Sequence, residues 1–318
     1  MIVSLSSIFL YVLLPILVMI LLGVLVNRKR TLNIDSLNQL TIYLIVPAFL
    51  FEQVYDSSLS WGDITEITYG VFLPTTILGA ILWWIYHRRG YPGSTTSALL
   101  LGGLVFNAGN FGLPLTQLFY EQHPDIFPGM NGEGLSVQAM MIMLSNISIW
   151  LIGYGVIAFG KGQGFGGMLG FFRLPMIYTV LAAFAVRETQ TNIPVYLLKV
   201  IEFLSHATVP IMLLTLGAQL AKNAQWPQWR LIGPAMVVKL LLLPALTGAI
   251  AWLFGLWPWP GAQLVIAAAA PTAVNTLIIS LELDGDNRTA ADCVFWTTIG
   301  SAVSVTAVLL LVVLLGGV

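Results

Sequence analysis

The stretch Val105–Leu115, V-F-N-A-G-N-F-G-L-P-L, sits inside an otherwise apolar segment, and its reading decides the fold. Asn107, Gly109, Asn110, Gly112 and Pro114 fall where an unbroken helix would be needed to cross a bilayer. Proline removes a backbone donor and clashes with the preceding turn. In hydrocarbon, backbone groups freed in this way must be satisfied by protein or by a water-lined cavity. The stretch therefore reads as a broken membrane helix built around a site.

The surrounding composition requires the membrane. Of 318 residues, 58% are hydrophobic and 8% charged, and the mean hydropathy is +0.88. Soluble domains carry about 25% charged residues, so one water-soluble core is excluded and the chain reads as polytopic. A net charge of −1 offers no basic stripe for nucleic acid. Cys293 is the only cysteine, which excludes an intramolecular disulfide and a cysteine metal site. No His/Glu cluster has metal-ligand spacing, no phosphate-binding loop appears and no nucleophile stands beside a base. Hydrolysis, primary pumping and a bound cofactor or metal are therefore not expected.

About 20 apolar residues make a span, and ten are expected: 8–27, 37–55, 67–87, 97–120, 134–158, 173–187, 197–220, 231–254, 261–281 and 292–315. The run Ile8–Val26 is long enough to cross and is followed by Arg28, Lys29 and Arg30, which reads as a retained helix, not a cleaved leader. Odd-numbered loops hold ten basic residues (Arg28, Lys29, Arg30, Arg88, Arg89, Lys161, Arg173, Lys222, Arg230, Arg288) against Arg187 and Lys199 in the even ones. That bias puts the odd loops in the cytoplasm and both termini on the other side of a cell (plasma or inner) membrane.

The glycine-rich run Gly160–Gly167 divides the chain into halves, 1–159 and 173–318, joined by a cytoplasmic link, 160–172. Prolines recur in both halves: Pro15, Pro47, Pro74 and Pro114, then Pro175, Pro210, Pro244 and Pro271. Five spans per half force the second half to cross in the opposite sense. The expected fold is thus all-α, with two inverted five-helix repeats and discontinuous, crossing spans 4 and 9. Span 9 carries A-A-A-A-P-T-A-V-N-T, Ala267–Thr276, in which Asn275 follows Pro271 by four as Asn110 precedes Pro114 by four. Half-helix N-termini at such a crossing favour an anion, above all a carboxylate.

Other polar residues lie within spans. Lys239, in M-V-V-K-L-L-L-L-P, is too deep to snorkel; it attracts a carboxylate or satisfies carbonyls freed at the breaks, and the sequence leaves both readings open. Asn146 is a candidate ligand or an interhelical tie. Glu202 and His206 share a helical face and read as a local pair, and Glu52 reads as interfacial.

Taken together, L-T-I-Y-L-I-V-P-A-F-L-F, F-N-A-G-N-F-G-L-P-L, V-P-I-M-L-L-T-L-G-A-Q-L-A, M-V-V-K-L-L-L-L-P-A and A-A-P-T-A-V-N-T resemble the auxin efflux carrier family in its compact prokaryotic form. The resemblance implies a scaffold of spans 1, 2, 6 and 7 that also dimerises. It implies a transport domain of spans 3–5 and 8–10 that moves as an elevator. The implied substrate is a small organic anion such as an auxin-like acid or a dicarboxylate. It assigns Asn107 to the substrate carboxylate, Pro114 and Pro271 to the crossover, and Lys239, Asn146 and Val46 to the site. Asn110 and Thr272 depart from plant members, and with Asn275 they complete the expected substrate-binding set. The long cytoplasmic loop of many plant members is reduced here to the short link 160–172, so neither their substrate identity nor their regulation carries over.

Three functions follow from these residues. The first is a secondary carrier exporting or exchanging a carboxylate, driven by membrane potential. The second is a sodium-coupled anion symporter using oxygens of Asn107, Asn110, Asn275, Thr272 and Thr276. The third is a ligand-binding membrane sensor, against which the absence of a soluble output domain counts.

Overall fold

A computed structural model describes residues 5–123, 131–160, 169, 170, 172–223 and 226–316. Residues 161–168 and 171, most of the expected link 160–172, lie outside the described residues. The protein is all-helical where described, with one isolated backbone bridge in place of any strand.

Among the described residues, seven helices are long and apolar enough to cross a membrane. They are α1 (Ser6–Lys29), α2 (Ile34–Tyr55), α3 (Trp61–Arg88), α5 (Asn131–Gly160), α7 (Val195–Lys222), α8 (Trp229–Leu253) and α10 (Asn287–Gly316). Three further segments are shorter. α6 (Pro175–Glu188) has 14 residues, about 21 Å of helix against about 30 Å of hydrocarbon. The other two are broken: α4a (Gly93–Leu104) continues as α4b (Leu113–Gln122), and α9a (Gly261–Ala269) as α9b (Asn275–Glu282).

Proline shapes the long helices without ending them. Widened π-turns precede Pro15, Pro47, Pro114 and Pro244, at Phe9–Leu13, Thr41–Ile45, Ala108–Gly112 and Val238–Leu242. Each places its proline in the first turn of the helix that follows, where a missing N–H is harmless. The i→i+5 bond that closes a π-turn, such as Leu243 N–H to Val238 O, carries the chain past the absent donor.

Two groups of helices form. α1 lies against α7, and α2 packs on α6 and on the first half of α7. α4a packs on α5, α8 and α10, while α9a packs on α8 and α10. The α1–α7 contact is backbone on backbone: a Cβ on Gly23 would stand 2.2 Å from Leu214 O, and one on Gly217 2.0 Å from Ile20 O. Small residues permit this approach, a common basis of helix association in lipid. Large side chains such as Tyr43, Phe203, Trp252 and Val303 project from the outer surface of the bundle, as a lipid-facing surface requires.

Candidate functional site

The break in span 4 falls at Val105–Asn107, not at Pro114, which corrects the sequence expectation. Val105 takes an extended conformation, and Phe106 pairs with Thr272 as an antiparallel bridge. Asn107 N–H donates to Pro271 O at 2.7 Å, and Ala273 N–H donates to Val105 O at 3.2 Å. The two breaks thus satisfy each other by a reciprocal pair, the solution that hydrocarbon demands. Pro114 lies seven residues beyond the break in the first turn of α4b, where it interrupts nothing. Pro271 does stand at the crossing.

Side chains complete the crossing. Thr272 Oγ1 donates to Gly102 O at 2.5 Å and its N–H donates to Thr297 Oγ1 at 3.0 Å. Ser145 Oγ donates to Phe106 O at 2.8 Å, and Gln138 Nε2 to Ala108 O at 2.6 Å. Gln263 Nε2 then donates to Gln138 Oε1 at 2.7 Å and to Thr116 Oγ1 at 2.9 Å. Gln138 and Gln263 are fully buried. Replacing Gln263 by leucine would strip two buried acceptors of their donor, at about 1–3 kcal/mol for a group left unsatisfied. Gln263→Leu should therefore lower the unfolding temperature. It should also weaken ligand binding with no cavity contact, because Gln138 holds the turn that follows Asn107. Titration calorimetry beside a thermal scan would check both.

Lys239 is completely buried in the π-turn of α8. Its Nζ donates to Ala268 O at 2.6 Å, near the C-terminal end of α9a, and lies 5.6 Å from the centre of the Phe106 ring. Lys239 thus ties an end carbonyl of α9a and sits against the ring that faces the cavity. Lys239 does not itself line that cavity.

The cavity, about 50 Å³, lies beside the crossing, on the side of the N-terminal turns of α2 and α6 that carry Asn38 and Met176. α2 contributes Asn38, Thr41, Ile42 and Val46, α6 Met176 and α7 Met212; the other wall is Phe106–Asn110, α5 and Ala273–Asn275. Val46, Asn107, Asn110, Asn146 and Asn275 are therefore brought together, whereas Pro114, Lys239, Pro271 and Thr272 are not among the lining residues. Asn38, Thr41, Met176 and Met212 were missed by sequence reasoning, because only packing of distant helices places them there.

Among the described residues that line the cavity, Asn107 alone holds a buried polar atom without a partner. It is 4% exposed, and its Oδ1 accepts the Asn110 N–H at 3.0 Å, which fixes the amide's orientation. Its Nδ2 is buried without a hydrogen-bond partner among the described residues. A buried donor left in this way costs about 1–3 kcal/mol, so it stands ready for an acceptor. The π-turn that leads into α4b, through Ala108–Asn110, and the start of α9b, Val274–Asn275, adjoin the same space, and their amide ends favour negative charge. Asn275 Nδ2 donates to Asn146 Oδ1 at 3.0 Å, and Asn146 Nδ2 to Ile142 O at 2.8 Å. Among the described residues, no lining side chain carries a charge.

A second, larger cavity of about 570 Å³ lies between α2 and α7 on one side and α4b and α5 on the other, at the opposite end of the bundle. Glu52, Asp56, Glu133 and His206 line it. Burial pushes the Asp56 carboxyl above its usual range. Glu202 pairs with Lys199 at 2.6 Å, not with His206 as expected from the sequence.

The model of a family described as membrane transport protein matches residues 167–309. An uncharacterised transporter of Methanothermobacter thermautotrophicus is 24% identical over 308 residues, covering 92% of this chain and 94% of that protein. An uncharacterised transporter of Methanocaldococcus jannaschii is 24% identical over 275 residues, covering 82% and 84% respectively. A family match across the half that holds α8–α10, relatives aligned over most of the chain and a bundle of apolar helices around a crossed pair agree with one another. This chain is a multi-pass membrane protein whose second half matches the membrane transport protein family and whose whole length is similar to archaeal proteins described as transporters, in line with its resemblance to the auxin efflux carriers.

Proposed function

We propose that the protein is a secondary carrier for a small organic carboxylate, working by alternating access of the cavity at the crossing. The observation that carries this reading is the buried, unpartnered Nδ2 of Asn107 beside two half-helix N-termini. A carboxylate supplies the missing acceptor and the negative charge together.

Several features support the finer reading of ten spans in two inverted repeats. α1 against α7 and α2 against α6 are the contacts that exchanging the halves would interconvert. The reciprocal bonds around Phe106 and Thr272 have the same property. The scaffold is then α1, α2, α6 and α7, and the remaining helices form the elevator, with the two cavities at opposite ends of their common seam. A space of about 50 Å³ holds only a few waters, so a substrate requires the two groups to part. Both termini face away from the cytoplasm, and copies pair through the scaffold.

Anion export from a negative-inside cell is downhill by about 2.3 kcal/mol per charge per 100 mV, so no coupling ion is needed. The sodium alternative gains little support, since Thr272 Oγ1 and Thr276 Oγ1 donate to backbone carbonyls and neither residue lines the cavity. Proteoliposomes loaded with labelled mono- and dicarboxylates test the proposal. Flux should follow an imposed potassium diffusion potential, reverse with its sign and survive replacement of sodium by choline. Failure of any organic acid to move or to compete would sink it.

A further inference from the structure

Polar ties across the seam gather at the end opposite the crossing cavity. Ser58 N–H donates to Glu133 Oε1 at 3.1 Å, and the Ser58 hydroxyl donates to the same oxygen. Ser136 Oγ donates to Gln53 O at 2.9 Å. Gln53 and Ser58 belong to the last turn of α2 and the loop beyond it; Glu133 and Ser136 belong to the start of α5. The loop is itself held from α6. Arg187 Nη1 donates to Ser57 O and Oγ at 3.1 and 3.0 Å, and its Nη2 to Leu59 O at 2.9 Å. Both neighbours of Ser58 are thus fixed, which aims its donors at the carboxylate.

At the crossing cavity the seam is closed differently. Met212 lies so close to Gly109 that an added Cβ would stand 3.1 Å from its Cε, and Met176, Ile42 and Val46 complete an apolar contact. Dispersion contacts between flexible side chains slide at little cost, whereas paired hydrogen bonds to one carboxylate hold a single geometry.

We propose that Glu133 and Ser58 form a latch that ties the two helix groups together at the outer end of the seam, beside the larger cavity, with Arg187 positioning the receiving loop. The inference rests on the alternating-access reading above. α5 cannot move past α2 without parting two hydrogen bonds from one carboxylate, so each transport cycle must release the latch. Its strength therefore sets how much of the population stays in the form seen here.

Cysteine accessibility tests this without knowledge of the substrate, in a Cys293→Ala background in membranes. Glu52→Cys reports the outer cavity and Ile42→Cys the crossing cavity, with site-resolved maleimide labelling read by mass spectrometry. Glu133→Ala should speed labelling of the outer reporter about tenfold, the population change expected for loss of a charge-assisted hydrogen bond, and slow the inner one. Arg187→Ala should act in the same direction, and Glu133→Gln, which keeps an acceptor, more weakly. Labelling rates within about twofold of the parent for Glu133→Ala would overturn the latch. A Ser58→Cys/Glu133→Cys pair separates the two ideas. If oxidising that pair protects the outer reporter while Glu133→Ala changes nothing, the latch fails and two-sided access stands. If neither reporter responds to oxidation, two-sided access fails and the latch with it.

Discussion

Asn107→Asp is expected to fold as well as the parent chain and to lose its carboxylate ligand. The aspartate oxygen still accepts the Asn110 N–H that Asn107 Oδ1 now holds at 3.0 Å, and aspartate is as good a helix cap as asparagine. What changes is the second atom. The Nδ2 donor that lies buried without a partner becomes an acceptor with negative charge. A hydrogen bond to a charged group contributes about 1.5–3 kcal/mol, and the substitution adds like-charge repulsion, so affinity should fall about 100-fold or more. Asn107→Ala loses the same donor and also the cap, so it should cost about 1 kcal/mol of stability as well. Titration calorimetry with a transported acid, beside thermal unfolding of both variants, checks the split. Equal loss of stability in the two would reduce Asn107 to a cap.

Gly217→Val is expected to have the largest effect on the fold, although Gly217 touches no cavity. A Cβ at Gly217 would lie 2.0 Å from Ile20 O and 3.0 Å from Gly23 Cα. Both are backbone atoms of α1, so no side chain can turn aside. α1 and α7 would have to separate along their whole contact, opening voids where lipid and neighbouring side chains fit poorly. Overpacking costs typically about 1–3 kcal/mol, and a clash with fixed backbone belongs at the upper end. The variant should unfold at a clearly lower temperature in detergent and yield less folded protein. A change below about 0.5 kcal/mol, the range of an ordinary surface substitution, would show that the helices tolerate separation.

Much of this architecture is legible in the sequence, for identifiable reasons. The seven long helices follow from apolar runs of span length, and the two breaks follow from amides, glycines and proline where lipid supplies no partners. The position of the first break does not follow. Pro114 draws attention because proline breaks helices, yet a π-turn ahead of it leaves Pro114 in a tolerated first-turn position. The chain parts instead at Val105–Asn107, where Pro271 and Ala273 of a distant segment supply the bonds. No local pattern announces that pairing.

The same limit governs the site. Asn107, Asn110, Asn146, Asn275 and Val46 line one cavity, and the amides among them stand out in the sequence because each is polar in an apolar span. Lys239 stands out equally, but its partner is a carbonyl of α9a 29 positions away, which only the fold reveals. Gln138 and Gln263 are also lone amides in apolar spans. Their value lies in meeting each other across 125 residues of sequence, which spacing cannot show.

The most direct measurement is the separation between substrate and Asn107 in the membrane. A transported acid labelled with ¹³C at its carboxyl, bound to protein carrying ¹⁵N asparagine, gives that distance by solid-state dipolar recoupling. A contact at hydrogen-bonding range, about 3 Å between nitrogen and carboxylate oxygen, that vanishes in Asn107→Asp is the predicted result. Saturable binding of the acid with no asparagine side-chain nitrogen near its carboxyl would contradict the account.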